Sequence, residues 1–260
     1  MRYLYLLVLG WLVSCGTIPS GQKSRAQDSL LWNAYKKKDT SELRQFFERW
    51  SVETPALSDA GIDGLNDTLG NVYEVYKAFY RPQNIGQLGG SEWGDSIYAN
   101  VSYLILQDEL HFAFADTLGI DQDADILPGS KDSIVHFRPE VGFASPKTVI
   151  LTEYYDTLLN AFLGNTHLPL GAGNIMAPAR SKGESADREA FLGRVVKIWY
   201  GHWGGYWQLH SYPLVGQLIL DRKMESAQVY FRMVYEGGTA YLKKINGKWE
   251  LVSAKRTWIE

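Results

Sequence analysis

The sequence predicts an α+β fold, in which N-terminal helices and an antiparallel hairpin region precede helices packed on a C-terminal antiparallel meander. Apolar residues recur at helical spacing in several segments, whereas residues 227–235 alternate between apolar and more polar side chains. Asn246-Gly247 follows that alternation at a position typical of a tight hairpin turn. With 45% hydrophobic residues among 260, the chain can bury a substantial core.

The N-terminal segment has the proportions of a signal peptide. Arg2 precedes an almost unbroken apolar run, residues 3–13, which is too short to span a bilayer. Leu12-Val13-Ser14-Cys15-Gly16 closes the run and resembles the lipobox of bacterial lipoproteins. The resemblance implies that residues 1–14 are removed and that Cys15 is lipidated, so that the body lies in the cell envelope, on the periplasmic side of the inner or outer membrane. An ordinary secretory signal, or a buried helix with an incidental cysteine, is the alternative.

The net charge and the cysteine count indicate which classes of partner and site to expect. The chain carries 26 basic and 29 acidic side chains, a net charge of −3, and loses Arg2 with the signal peptide. We do not expect nucleic acid as a partner, because its binding needs a basic surface. Cys15 is the only cysteine, so its lipidation would leave no thiol for disulfides, catalysis or metal binding. The expected partner is the membrane, through the lipid anchor, and we expect no cofactor.

Residues 15–27 are rich in Gly, Ser and Lys and are interpreted as a flexible tether. A first α+β region is expected over residues 28–145, where Asp39-Thr40-Ser41-Glu42 offers capping oxygens for one helix and Pro82 ends another. The apolar stripes of these helices are Leu43, Phe46, Phe47 and Trp50, then Val72, Val75, Tyr76, Phe79 and Tyr80. Extended segments are predicted at residues 97–106, 110–115 and 133–137.

A second α+β region is expected over residues 146–260. Thr152 can cap a helix in this region, and Asp187 opens another. Their apolar faces are Tyr154, Tyr155, Leu158, Leu159 and Phe162, then Phe191, Leu192, Val195, Val196 and Trp199. Residues 164–185, between the two helices, are rich in Gly, Pro and small residues and are predicted to form a long loop.

The C-terminal meander has the strongest support in the sequence. Gly237-Gly238 is predicted to make its first turn, and Asn246-Gly247 its second, because both residues of that pair tolerate the positive φ of a type I′ turn. Helices followed by a curved antiparallel sheet are also the order of elements in cystatin-like and nuclear-transport-factor-2-like folds. From about residue 150 onwards the chain resembles that superfamily in topology, without a diagnostic motif.

Short motifs towards the C-terminus carry a second resemblance. They are Gly201-His202-Trp203-Gly204-Gly205-Tyr206-Trp207, Phe231-Arg232, Gly237-Gly238-Thr239-Ala240 and Thr257-Trp258-Ile259-Glu260. Together they are similar to a family of lipoproteins from gut-dwelling Bacteroidota. The similarity covers mainly the last seventy residues. The similarity implies a location in the cell envelope, but it gives no indication of an activity.

A block of aromatic and histidine side chains around residue 205 is the leading candidate for a binding site. Its members are Trp199, Tyr200, His202, Trp203, Tyr206, Trp207, His210 and Tyr212. Flat rings with polar tips can stack on sugars or other planar ligands, and the intervening glycines let the backbone approach closely. The predicted ligand-binding residues are His202, Trp203, Tyr206, Trp207, His210 and Arg232. Alternatively, the indoles pack in the core beneath the sheet.

Patterns for metal binding are incomplete, and no metal site is predicted. His202 and His210 lie eight positions apart, whereas a zinc-binding helix would place two histidines four apart. Residues 121–132 place acidic side chains as a calcium loop does, but Ile126 stands at the sixth position, where such a loop needs glycine. A solvated acidic loop is the preferred interpretation.

Two functions are compatible with these patterns. The preferred hypothesis is a lipid-anchored binding or accessory protein whose aromatic-lined pocket takes a small molecule, a glycan or a partner protein. The alternative is an envelope hydrolase that uses His202 or His210 with a carboxylate. Neither a nucleophile elbow nor a phosphate-binding loop occurs in the sequence.

The triplet Asp, Ser or Thr, then an aliphatic residue occurs six times, at Asp28, Asp67, Asp95, Asp116, Asp132 and Asp156. It resembles the acceptor motif of the O-glycosylation system of Bacteroidota. The resemblance implies candidate sites at Ser29, Thr68, Ser96, Thr117 and Ser133. Thr157, in the sixth triplet, falls inside a predicted helix. The alternative is that these pairs serve as helix caps and turn starters.

Overall fold

The computed structural model describes residues 20–89, 96–120, 122–141, 146–164, 183–200 and 207–259, and it has the expected α+β class. The helices are α1 (Ser20–Lys37), α2 (Thr40–Glu53), α3 (Asp59–Asp63), α4 (Asp67–Phe79), α5 (Glu153–Leu163) and α6 (Glu184–Leu192), with a 3₁₀ turn at Ile85–Leu88. None of the helices in this part of the chain combines the length and apolar character that crossing a membrane requires.

Within these described ranges, the strands form three sheets. They are β1 (Tyr103–Gln107), β2 (Glu109–Ala115), β3 (Asp132–Val135), β4 (Lys147–Leu151), β5 (Trp199–Tyr200), β6 (Trp207–Gln208), β7 (Leu214–Asp221), β8 (Ser226–Met233), β9 (Glu236–Ile245) and β10 (Lys248–Ile259). Six of them make one sheet in the order β10-β9-β8-β7-β2-β3. The parallel pair β1-β4 and the short antiparallel pair β5-β6 stand apart from it.

The helix start predicted from Asp39-Thr40-Ser41-Glu42 is confirmed, and so is the helix end predicted before Pro82. Asp39 caps α2, since its Oδ1 accepts from the Ser41 N–H at 2.7 Å and from the Glu42 N–H at 3.3 Å. Asn66 caps α4 in the same way, and α4 ends at Phe79, three residues before Pro82. The apolar stripes of both helices are buried, so packing of these faces stabilises the helices.

Two helices depart from the boundaries that the sequence indicated. Helix α1 begins at Ser20, so residues 20–27, interpreted as part of the tether, belong to a helix instead. Gln, Lys, Arg and Ala in this stretch are good helix formers, and composition alone hid that propensity. Helix α6 begins three residues before Asp187 and ends at Leu192, ahead of Gly193.

Strand β1 separates two hydrophobic cores. Leu104 and Leu106 belong to the sheet core, which lies between α4 and the six-stranded sheet. Tyr103 and Ile105 belong to the helical core, which α1, α2, α5 and α6 build with β4. Since successive strand residues face opposite sides, β1 contributes to both cores, and its first four residues are apolar.

The six-stranded sheet joins the two regions that the sequence suggested. Strand β2, from the first region, pairs in parallel with β7, with Phe112 opposite Leu218, and pairs antiparallel with β3. The antiparallel hairpin expected in the first region is therefore β2-β3. The extended segments at 97–106 and 110–115 do not pair with each other, because β1 pairs with β4 instead. The division at residues 145 and 146 does not separate two sheets.

The C-terminal meander is confirmed, with one turn displaced. Asn246 and Gly247 have φ of 52° and 80°, as a type I′ turn requires, and they join β9 to β10. The first turn lies at Val234 rather than at the glycine pair, and Gly237 and Gly238 lie inside β9. A Cβ at Gly237 would overlap the Trp258 ring, so glycine serves close packing there.

Candidate functional site

The structure places only part of the predicted aromatic site. Cys15, His202, Trp203 and Tyr206 lie outside the described residues, as does most of the predicted loop at 164–185. Trp207, His210 and Arg232 are described. Their surroundings show which interpretation of the aromatic block applies to each of them.

Trp207 is a core residue. Strands β5 and β6 form a short antiparallel pair in which Tyr200 lies opposite Trp207 and Trp199 opposite Gln208. Trp207 is 6% exposed and belongs to the helical core, whereas Trp199 packs against the sheet core with the Lys197 ammonium 4.5 Å from its ring centre. For these two indoles the structure supports packing in the core rather than stacking on a ligand.

His210 is held in an environment that disfavours its charged form. Burial lowers the pKa of the His210 imidazole to about 4, so the ring is neutral at physiological pH. Within the described residues, no hydrogen bond or ion pair joins His210 to a carboxylate. The described part of the chain therefore gives the hydrolase hypothesis no support.

Arg232 lies near the C-terminal end of β8, opposite Leu214 of β7. Its Nε donates to the Val234 carbonyl at 2.8 Å, and its guanidinium carbon lies 5.9 Å from the centre of the Trp258 ring. The nearby Arg256 donates to the buried Glu236 carboxylate at 2.6 Å. These contacts tie Arg232 to the C-terminal strand and brace the β8-β9 turn.

Neither the histidines nor the acidic loop forms a metal centre within the described residues. Strand β2 carries His111, and His136 follows β3, its antiparallel partner. Each of these histidines lies near a different carboxylate: His111 Nδ1 is 3.9 Å from Glu109 Oε1, and His136 Nδ1 is 3.7 Å from Asp108 Oδ2. Asp121 lies outside the described residues. Over the remainder of the acidic loop and the rest of the described chain, no group of three or more metal-ligating side chains comes together.

A cleft of about 520 Å³ opens between the end of α4 and strand β10. Its lining consists of Ala78, Arg81, Gln83, Asn84, Gln87, Trp249, Glu250 and Leu251. Its volume lies within the range of small-molecule binding sites. It is a candidate binding site built from described residues, and it lies outside the aromatic block.

One wall of the cleft is made by the segment that follows α4. Pro82 prevents the helix from continuing, and the chain enters the 3₁₀ turn at Ile85–Leu88. Because residues three apart share a face of a 3₁₀ turn, Ile85 and Leu88 are buried together while Asn84 and Gln87 are exposed together. The Asn84 amide donates to the Gln87 Oε1 at 3.2 Å, which holds the two side chains side by side.

The opposite wall is the start of β10. The turn at Asn246 sets the register that brings Trp249 opposite Lys244. The Trp249 indole N–H donates to the Asn71 Oδ1 at 3.1 Å, and the Lys244 ammonium donates to the same oxygen at 2.5 Å. Trp249 is only 7% exposed, so it forms a fixed apolar floor rather than an open stacking platform.

The chemistry of the cleft is polar and nearly neutral. Gln83, Asn84 and Gln87 each carry a carbonyl acceptor and an NH₂ donor, and all three are exposed. Arg81 and Glu250 add one positive and one negative charge; the Arg81 Nε donates to the Ala78 carbonyl at 3.2 Å. The arrangement can exchange hydrogen bonds with groups that both donate and accept.

Sequence reasoning missed this site. The three amide side chains of the cleft follow Pro82 and are interspersed with the apolar residues Ile85 and Leu88. This spacing is typical of a single 3₁₀ turn with one exposed polar face, and it was the only local signal for the site. The partner wall comes from a strand at the other end of the chain, and no local pattern links the two.

The five candidate glycosylation residues differ in their surroundings. Ser29 lies within α1 and Thr68 within the first turn of α4, whereas Ser133 lies in strand β3. Ser96 and Thr117 are exposed and lie outside helices and strands. These two are therefore the most accessible of the candidates to a modifying enzyme.

Comparison of the chain with known proteins leaves the site to be interpreted from its own geometry. Neither a family model, nor a curated protein, nor a solved structure matches this chain.

Proposed function

We propose that the protein is a lipid-anchored binding protein of the cell envelope that holds a neutral glycan in the cleft between α4 and β10. The observation that carries the proposal is the lining of the cleft, with three exposed side-chain amides above an apolar floor. The lipobox-like sequence at Cys15 supports the envelope location and the membrane as a partner.

The lining favours an uncharged ligand rich in hydroxyl groups. A hydroxyl both donates and accepts, and so matches an amide, which offers both functions. Arg81 and Glu250 are of opposite sign, so the cleft has no excess charge to attract an ion. The faces of a sugar ring also carry C–H groups, which suit the apolar part of the lining that Trp249, Ala78 and Leu251 provide.

Binding of neutral disaccharides to the purified full-length protein tests the proposal. Cellobiose, maltose and chitobiose are titrated by calorimetry, and we expect saturable binding of at least one of them. The Asn84→Ala/Gln87→Ala double variant should weaken that binding about thirtyfold, since each lost hydrogen bond is worth about 1 kcal/mol.

The matched control is Asn33→Ala/Gln45→Ala, which removes the same two residue types from exposed positions on α1 and α2. The control should bind as the parent protein does. If no neutral disaccharide binds, or if the two double variants bind equally well, the cleft is not a glycan site.

A further inference from the structure

The outer face of the six-stranded sheet carries rows of polar side chains. Gln228 of β8 lies opposite Tyr241 of β9, which in turn lies opposite Ser253 of β10. Thr239 lies opposite Lys255 in the neighbouring row. Because successive strand residues face opposite sides, these side chains point away from the sheet core.

The connection between β2 and β3 folds over part of this face. Leu118, Ala124 and Ile126 pack against Ala113 and Ile219, which anchors the connection on the sheet. Beside the anchored part, a cavity of about 80 Å³ remains between the connection and the polar rows. This polar cavity shares no lining residue with the cleft between α4 and β10.

Gln228 forms the floor of the polar cavity and leaves one buried atom unpaired. It is 1% exposed, and its Nε2 donates to the carbonyls of Gly119 at 2.9 Å and Gln122 at 2.7 Å. The two carbonyl acceptors fix the orientation of the amide, since the reversed orientation would set Oε1 against them. Among the described residues the buried Oε1 then has no hydrogen-bond partner, a state that native proteins avoid.

We propose that the polar cavity is a second binding site, which takes two neighbouring hydroxyl groups of a neutral polyol. Gln228 Oε1 accepts a hydrogen bond from one hydroxyl, and the side chains of Thr239 and Ser253 can donate to or accept from the other. Asp123 and Lys255 stand at the rim with opposite charges, so the site favours no ion.

The size of the polar cavity sets how much of the ligand enters. A volume of about 80 Å³ equals that of roughly two or three water molecules of liquid, at about 30 Å³ each. One edge of a sugar or a short polyol fits, whereas a whole disaccharide does not. The rest of a larger ligand would lie along the exposed rim.

Titration of the ¹⁵N-labelled full-length protein with glycerol tests this inference by NMR. The side-chain amide of Gln228 reports directly on the floor of the cavity. We expect saturable shifts of that amide and of the backbone amides of Thr239 and Ser253. Thr239→Val and Ser253→Ala each remove one lining hydroxyl and should weaken glycerol binding severalfold, with unchanged spectra elsewhere showing that the variants fold.

Thr157→Val, on the exposed side of α5, is the matched control and should bind glycerol as the parent does. Shifts that do not saturate would show that the cavity holds only water and would overturn the proposal. Equal affinity in the cavity variants and the control would also overturn it. Saturable shifts with ammonium chloride but not with glycerol would identify a cation site instead.

Discussion

The imidazole of His210 shows how one side chain can make stability depend on pH. Its folded-state pKa is about 4, below the ordinary value of 6.5, because burial disfavours the charged form. As the pH falls below about 6.5, His210 becomes protonated in the unfolded chain but stays neutral in the folded chain. The free energy of unfolding should therefore decrease between about pH 6.5 and pH 4, by at most roughly 3 kcal/mol.

Urea unfolding at a series of pH values measures this decrease. His210→Gln should lose less stability over the interval than the parent, and the difference between the two curves isolates the His210 contribution. Parallel curves for the parent and His210→Gln would show that His210 is not desolvated in the folded state.

The fate of Trp207 shows what the sequence could predict at this scale. Sequence reasoning identified both a ligand site and core packing as uses for the aromatic block. It could not choose between them, because an indole has the same chemistry in both settings. The choice depends on β5 pairing with β6 and on the helices that cover Trp207.

At the scale of elements, Gly89 fixes the wall of the cleft against β10. Its φ is +101°, and a Cβ there would lie 2.8 Å from the Arg256 backbone nitrogen. Gly89→Ala should therefore destabilise the protein by about 1–3 kcal/mol, through backbone strain and the forced separation of the 3₁₀ segment from the strand. Disaccharide binding in the cleft should weaken as well.

Gly129→Ala separates these two causes. Gly129 also has a positive φ, of 73°, but no atom lies within 4 Å of a Cβ built there. Its substitution should cost only the backbone strain, about 1 kcal/mol, and should leave disaccharide binding unchanged. If urea unfolding shows the same decrease in the free energy of unfolding for both variants, the close approach of Gly89 to Arg256 does not contribute to stability.

Elements with local determinants were predictable from the sequence. The cap at Asp39, the helix stop at Pro82 and the type I′ turn at Asn246 each depend on a few consecutive residues. Gly237-Gly238 misled the prediction because a glycine pair serves equally for a turn and for close packing. The close approach of Trp258 to Gly237, and of the Lys255 and Arg256 backbone to Gly238, distinguishes these two uses.

At the scale of the whole molecule, sheet order could not be predicted from the sequence. The class and the meander follow from periodicity, but the parallel pairs β1-β4 and β2-β7 join segments distant in the chain. The cleft has the same origin, since its walls come from residues 81–87 and 249–251. Nothing in either segment's own pattern identifies the other.

Covalent modification is also a property of the whole molecule, and the intact mass of the native protein tests it. We expect a mass that exceeds the polypeptide from Cys15 onwards by a lipid anchor. Cys15→Ala should abolish incorporation of labelled palmitate. Any further mass from glycans should fall in a Ser96→Ala/Thr117→Ala variant, because these two acceptors are the most accessible.

Thr157→Ala is the control for glycan mass, since Thr157 belongs to the same triplet but lies within α5. It should leave the mass excess unchanged apart from the substitution itself. A native mass equal to that of the unprocessed polypeptide would contradict both modifications. An excess equal to the lipid alone would contradict glycosylation while keeping the anchor.

The pairing of residue 112 with residue 218 has a consequence for biogenesis. A chain that emerges from its N-terminal end presents β2 long before the neighbour that completes its hydrogen bonding has arrived. Until then the strand offers an open edge that can associate with other copies. Chaperones that bind nascent segments are therefore most useful to this protein in the interval between the synthesis of β2 and that of β7.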